Sequence, residues 1–97
     1  MMEAVNSCRF KGRLKTFTLS IVGEDKLILG KGIIYLPDPK NGAIGQDINI
    51  TAWDSIATRL SEIAIGSWIT LLTSYMPSTF RGQIQDTFNV TSIVKHE

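Results

Sequence analysis

The alternation of apolar and polar residues changes phase inside the first strand-like segment, a change no flat sheet requires. Residues 6–14 read NSCRFKGRL. Cys8, Phe10, Gly12 and Leu14 fall on one face and Arg9, Lys11 and Arg13 on the other, the period of a half-buried strand. Directly afterwards Phe17, Leu19 and Ile21 form the apolar set and Thr16, Thr18 and Ser20 the polar set. One strand can keep both apolar sets on the core side only if a residue is inserted between them. The sequence therefore predicts a β-bulge or sharp bend near Lys15, helped by Gly12. A long bent strand of this kind serves two sides of a small barrel.

The rest of the chain supplies the other walls. Gly23-Glu24-Asp25-Lys26 reads as a turn, and residues 27–36 as a second strand thinned by Gly30 and Gly32, the mark of a tight barrel corner. Residues 37–45, PDPKNGAIG, are dense in breakers and read as a loop. Residues 47–53 form a third strand with Ile48, Ile50 and Ala52 facing the core. A helix follows at once, with Asp54 or Ser55 as N-cap and Gly66 as its C′ stop. Its apolar side holds Ile56, Leu60, Ile63 and Ala64. Residues 67–75 form a fourth strand, 76–82 a loop, and 84–94 a fifth strand. The order β-β-β-α-β-β with a bent first strand describes one domain: a mostly β, five-stranded Greek-key barrel of the OB type. That fold binds oligonucleotides or oligosaccharides on one face and its loops. The alternative architecture, an open five-stranded sheet with a helix on one face, does not need the phase change.

Composition narrows the functional classes. Ninety-seven residues allow one modest core. No apolar run approaches the roughly 20 residues of a membrane span, and the N-terminus lacks the basic flank and apolar stretch of a signal peptide. A single cysteine, Cys8, excludes an internal disulfide, and the default compartment is the reducing cytoplasm. Cys8 reads as a small buried hydrophobe, and Phe10, Phe17 and Phe88 as core. One cysteine and one histidine, His96, cannot build a four-ligand Cys/His metal site. No glycine-rich loop opens the helix, and Asp54 there would repel a phosphate. The sequence thus offers no catalytic group, cofactor or metal site, and a binding protein is expected. Net charge is only +1, but seven Lys/Arg against four Asp/Glu fall in the first forty residues, and three against five in the remainder. The positive excess can form a local patch.

Trp53 is the leading candidate for a binding residue. Parity puts it with Asn49 and Thr51 on the face opposite the core set. A large ring there either receives a flat ligand or packs under a loop at the barrel end. Arg9, Lys11, Arg13 and Lys15 form a cationic row, with alternate residues about 6.6–6.8 Å apart. That is close to the phosphate spacing of an extended single strand. The competing role is a solvated face with lysines guarding an edge. Lys31 and Tyr35 share a face of the second strand, and Phe80-Arg81 offers an aromatic beside a cation. Either pair can bind, or Tyr35 can cap the barrel and Phe80 anchor its loop. Trp68 points outward and fits a subunit contact or the helix as readily as a ligand.

At these residues the chain resembles the bacterial-type single-stranded DNA-binding proteins. Residues 9–14, RFKGRL, look like the first strand of that family, which runs into Gly-Arg-Leu. Residues 48–57, INITAWDSIA, are similar to its third strand, where an aromatic ends the strand and an apolar-Ala pair opens the helix. Gly66-Ser67 and residues 87–94 are similar to the segments that follow. The resemblance covers most of residues 6–94. It implies an OB barrel that binds single-stranded DNA by stacking and charge, as a homo-oligomer (dimer or tetramer). It sets Trp53 at the stacking aromatic, Arg13 at the Arg of Gly-Arg-Leu, and Phe80 in a loop where the family carries an aromatic. Two departures mark a divergent member. Residues 15–32 match poorly, and the sequence stops at Glu97 without the long tail and acidic tip by which the family recruits other proteins. The expected function is sequence-independent binding of single-stranded DNA in replication, recombination or repair. The alternatives are a protein-interaction module of a replication assembly and an RNA-binding or oligosaccharide-binding domain.

Overall fold

The computed structural model describes residues 7–37 and 45–96, apart from the side chains of Ser78 and Phe80. The loop expected over residues 37–45 falls, except at its ends, outside the described residues. The elements are β1 (Ser7–Val22), β2 (Leu27–Leu36), β3 (Gln46–Trp53), α1 (Asp54–Ser61), β4 (Trp68–Tyr75), β5 (Ser78–Phe80), β6 (Gln83–Gln85) and β7 (Thr87–His96). Five strands close a barrel in the order β1-β2-β3-β7-β4, and β5 and β6 form a separate hairpin.

β1 closes the barrel because it changes partners halfway. Ser7 to Arg13 pair with Ser74 to Trp68 of β4, and from Arg13 onward β1 pairs with β2. The β1–β2 register slips between Leu14 and Thr16, so the insertion falls at Lys15 as the phase change requires. The β3–β7 pair is parallel, with Asn49 opposite Thr87 and Thr51 opposite Asn89. A parallel pair needs a long crossover; α1, β4 and the β5–β6 hairpin provide it. A closed barrel of this strand order, with its helix between the third and fourth barrel strands, is an OB-fold.

The core is the inward parity of each strand. Leu14, Ile34, Ile50, Ala52, Ile69, Leu71 and Val90 are each at most 2 % exposed, and Ala57 and Leu60 of α1 plug the barrel end. Phe10, Phe17 and Phe88 pack against this cluster, with Phe10 meeting Phe88 edge-to-face at 4.9 Å. A Cβ on Gly30 or Gly32 would collide with the Phe17 ring, so these glycines seat an aromatic across the strand pair as well as thinning β2. Cys8 is half-buried rather than enclosed.

Four expectations change. Leu19 and Ile21 keep the core parity but are 44 % and 70 % exposed. β4 leaves β1 at Leu14, whose N–H donates to Ser67 O (3.0 Å) and whose carbonyl accepts from Gly66 N–H (2.7 Å). Past that point β1 keeps β2 as its one described strand neighbour, while β2 stays paired with β3 as far as Leu29 opposite Trp53; alternation alone does not say whether a face is covered. Second, Gly66 is not the helix stop. α1 ends at Ser61, Ala64 is exposed, and Ala57 takes the buried place. Within α1, Thr58 Oγ1 donates to Asp54 O and Ser61 Oγ to Thr58 O, hydroxyl competition that weakens short helices. Third, the N-cap position is Trp53, with no side-chain cap. Asp54 sits at φ +52° and its carboxylate accepts the Ile28 N–H instead. Fourth, the loop over 76–82 and the start of the fifth strand are replaced by the β5–β6 hairpin, with Arg81-Gly82 as its two-residue turn. Both turn residues have positive φ, +52° and +79°, the geometry such hairpins need.

Candidate functional site

Each barrel strand shows one parity to the core and the other to solvent. On β3, Ile48, Ile50 and Ala52 are buried while Asp47, Asn49 and Trp53 are exposed and Thr51 half-exposed. Trp53, 41 % exposed, ends the strand opposite Leu29. Its backbone is pinned by the next residue, because Asp54 Oδ1 takes the Ile28 N–H at 3.2 Å and ties the β3–α1 corner to the start of β2. The ring is thus presented by rigid strand backbone rather than by a loop.

A groove of about 610 Å³ opens beside it. The outer faces of β2 and β3 form its floor, with Leu29, Lys31, Thr51 and Trp53, and Met76, Pro77, Gln85 and Thr87 form the far side. Lys31 lies in register with Thr51 on one side and Thr18 on the other, two residues along β2 from Leu29, the partner of Trp53. Thr51 Oγ1 donates to Asn89 Oδ1 at 3.3 Å, which fixes two polar groups at the junction of β3 and β7. Among the described lining residues Lys31 is the one charged group. A flat apolar ring, a cation and a hydroxyl fixed by an amide, with no carboxylate among the described lining residues, suit a flat heterocycle joined to an anion.

A second groove, about 480 Å³, lies toward the other end of β3 between Phe10, Leu36, Asp47, Asn49, Asp86 and Phe88. Its chemistry is the reverse. Asp47 holds Lys15 Nζ at 3.0 Å, and Asp86 Oδ1 accepts the Tyr75 hydroxyl at 2.5 Å. That hydrogen bond raises the Tyr75 phenol above its usual value. Two carboxylates make this end unattractive to an anion.

The candidate residues separate into four places. Trp53 and Lys31 share the first groove. Tyr35 is half-buried in register with Arg13 and Asp47, six residues along β3 from Trp53, or roughly 20 Å at ~3.3 Å per residue. Lys15 is at that end too, engaged by Asp47. Arg9 and Lys11 are exposed on the β1–β4 side, opposite Leu72 and Thr70. Arg13 places its guanidinium 5.3 Å from the Trp68 ring centroid. Arg81 is exposed at the tip of the β5–β6 hairpin, while the Phe80 side chain falls outside those described. The cationic row is therefore one face of one strand, but the partner change of β1 carries it round the barrel from Trp53. Leu29, Asn49 and Thr51 join Trp53 in the groove. The parity that singled out Trp53 also selects Asn49 and Thr51, whereas Met76 and Gln85 arrive through a hairpin with no signal in the sequence.

Among the described residues no group of His, Cys, Asp and Glu could hold a metal, and no helix is long and apolar enough to cross a membrane. No family model matches the chain, and no curated protein matches its sequence. Solved structures do match in fold. The SSB domain of a protein from Synechococcus sp. aligns with TM-score 0.78 at 13% identity, covering 96% of this chain and 98% of that one. The PriB protein of Ralstonia solanacearum aligns with TM-score 0.72 at 10% identity, covering 96% and 99%. A small single-stranded DNA-binding protein from Streptomyces coelicolor aligns with TM-score 0.60 at 11% identity, covering 100% and 94%. The shared property is the OB barrel over nearly the whole of each chain.

Proposed function

We propose that this protein binds single-stranded DNA with little sequence preference. The observation that carries the reading is a strand-borne tryptophan, 41 % exposed, beside Lys31 in a groove whose described lining has no carboxylate. A base stacked on an aromatic ring contributes about 1–3 kcal/mol whatever its identity. Lys31 takes the adjacent phosphate. A strand leaving the groove meets Arg81 at the hairpin tip; Tyr35, Arg13 and Lys15 lie at the far end of β2 and β3, where Asp47 engages Lys15 and the Trp68 ring engages Arg13, and contribute less. A longer strand continuing round β1 reaches Arg9 and Lys11, and Phe80 offers a second ring on the hairpin. Two of the fold neighbours carry a single-stranded DNA-binding domain or name, which supports the same reading. The role that follows is to hold and protect strands exposed in replication, recombination or repair, in the cytoplasm, as a homo-oligomer. With a net charge of +1 the whole-protein field adds little, so affinity comes from local contacts multiplied across subunits.

The test is fluorescence titration with oligo-dT at two salt concentrations, for the wild type and Trp53→Ala. The wild type is expected to show quenching that weakens with salt. The variant is expected to lose roughly 5- to 150-fold in affinity, the equivalent of about 1–3 kcal/mol, while staying folded and keeping its salt slope. An unfolded variant would make the indole a structural member. Equal affinity for oligo-dT and oligo-U would extend the ligand to RNA, and no response to either would sink the proposal.

A further inference from the structure

The chain as a whole carries a net charge of only +1, yet one face of the barrel holds charge of a single sign. No Asp or Glu occurs in residues 7–13 of β1, in β4 or in β7. Outward parity presents Arg9, Lys11 and Arg13 there, all three exposed. The register spreads them over the sheet. Arg9 is opposite Leu72, Lys11 is opposite Thr70, with Lys95 in line beyond it, and Arg13 is opposite Trp68. Arg13 rests its guanidinium 5.3 Å from the Trp68 ring centroid, a contact that orients the group and leaves its charge in place. The next cation of the row, Lys15, is neutralised by Asp47, and the strip ends there.

We infer that this β1–β4 face is a second polyanion site, and that it takes the backbone of a separate DNA strand, so that one chain holds two strands at once. Alternate residues of β1 lie about 6.6–6.8 Å apart, so the three cations meet successive phosphates of an extended strand. A second copy of the chain is the wrong occupant, because packing face to face would set these cations against their own images.

The groove and the face divide the work. The groove offers an open ring beside one cation, Lys31, and holds a base. On the face the ring is already covered by Arg13, so it grips phosphates and leaves the bases free. Stacking makes the groove the tighter site, and the face fills when DNA is in excess. In the closed order β1-β2-β3-β7-β4, the β4–β1 and β2–β3 pairs face away from each other. A strand short enough to fill the groove therefore does not reach the face. The count of two strands rests on the proposed function of the groove, whereas the face stands on its own residues.

The chain has two tryptophans, so Trp53→Phe keeps a ring in the groove and leaves Trp68 as the sole indole reporter. Short oligo-dT in excess is expected to change the Trp68 emission, as a phosphate at Arg13 shifts the guanidinium over the ring. Log affinity read this way should fall against log salt with a slope of about 2, three phosphates at about 0.7 each. Adding Arg9→Gln and Lys11→Gln, both at exposed positions, should lower that slope to about 0.7 with unchanged circular dichroism. In excess short oligo-dT the wild type is expected to sediment with two strands per chain, a ratio independent of how many chains associate. A Trp68 emission that does not respond, a slope unaltered by the two substitutions, or one strand per chain would each overturn the inference. So would oligo-glutamate binding this face as tightly as oligo-dT, which would assign it to an acidic protein segment. The Trp68→Phe protein reports Trp53 alone. Silence there sinks the proposed function, whereas silence of Trp68 in the Trp53→Phe protein sinks only the second site.

Discussion

Two tryptophans sit on the outside of one barrel, each near a basic side chain, and they differ in whether that cation is already used. On the β1–β4 side Trp68 is half-buried and the Arg13 guanidinium lies 5.3 Å from its ring centroid. The two residues are directly paired across the strands, so the cation–π contact is made within the monomer. On the β2–β3 side Trp53 is directly opposite Leu29, and Lys31 is displaced by two residue pairs, on the same face. That offset in register leaves the ring turned to an open groove. The same two residue types give a surface brace in one place and an open platform in the other. The comparison teaches that register, rather than composition, assigns the role.

The most disruptive way to test this contrast removes what both faces share. Leu14, fully buried, sits where β1 passes from β4 to β2. Leu14→Ala should cost about 2–5 kcal/mol of stability, read by chemical denaturation. It should lower the binding of both faces in proportion to the unfolded fraction. A stable variant that lost binding would mean that the bulge positions the groove independently of the core.

Trp53→Ala and Trp68→Ala should then part company. The first is expected to lose about 1–3 kcal/mol of oligo-dT affinity at nearly constant stability. The second should lose stability, of which the cation–π contact supplies about 0.5–1 kcal/mol, while binding a short oligonucleotide as well as the wild type. Equal losses of affinity would erase the distinction between brace and platform.

The basic residues sharpen it further. Lys31→Gln should reduce the slope of log affinity against log salt by about 0.7, the value for one single-strand phosphate, even with an oligonucleotide that fills only the groove. Lys11→Gln should leave that slope unchanged for the short strand and reduce it only for a longer one that continues round β1. Lys15→Gln removes an exposed ion pair to Asp47 and should cost at most about 1 kcal/mol of stability.

Much of this architecture is legible in the residues. The phase change over residues 8–21 locates the bulge at Lys15, and the strict alternation of residues 48–53 faces Trp53 outward. Both follow from local sterics, since the side-chain period of a strand is two. What is not legible depends on distant partners. Leu19 and Ile21 carry the core parity, yet their exposure is decided by where β4 departs, some fifty residues later in the chain. Asp54 reads as a helix cap, yet it accepts the N–H of Ile28 because the strand pairing brings that group within reach. The row Arg9, Lys11, Arg13 and Lys15 is contiguous in sequence. The same partner change that closes the barrel divides it among three surroundings.

The smallest expected effect lies at the acidic end, and it tests whether that end is a structural corner. The Tyr75 hydroxyl donates to Asp86 at 2.5 Å. The bond, then desolvation, then the carboxylate's charge all raise the phenol above its ordinary value. A neutral acid whose folded value exceeds its unfolded one stabilises the fold while it stays protonated. The contribution is complete below about pH 10 and is lost as pH rises through the raised folded value. Tyr75→Phe keeps the ring that packs 5.2 Å from Phe88 and deletes only the hydroxyl. Stability of the wild type should therefore fall more steeply above pH 10 than that of Tyr75→Phe, with the two curves running parallel below it. Oligo-dT affinity near neutrality should be the same for both, because this contact belongs to the groove that repels anions. A loss of affinity in Tyr75→Phe would instead extend the binding surface past Asn49 to the far end of β3.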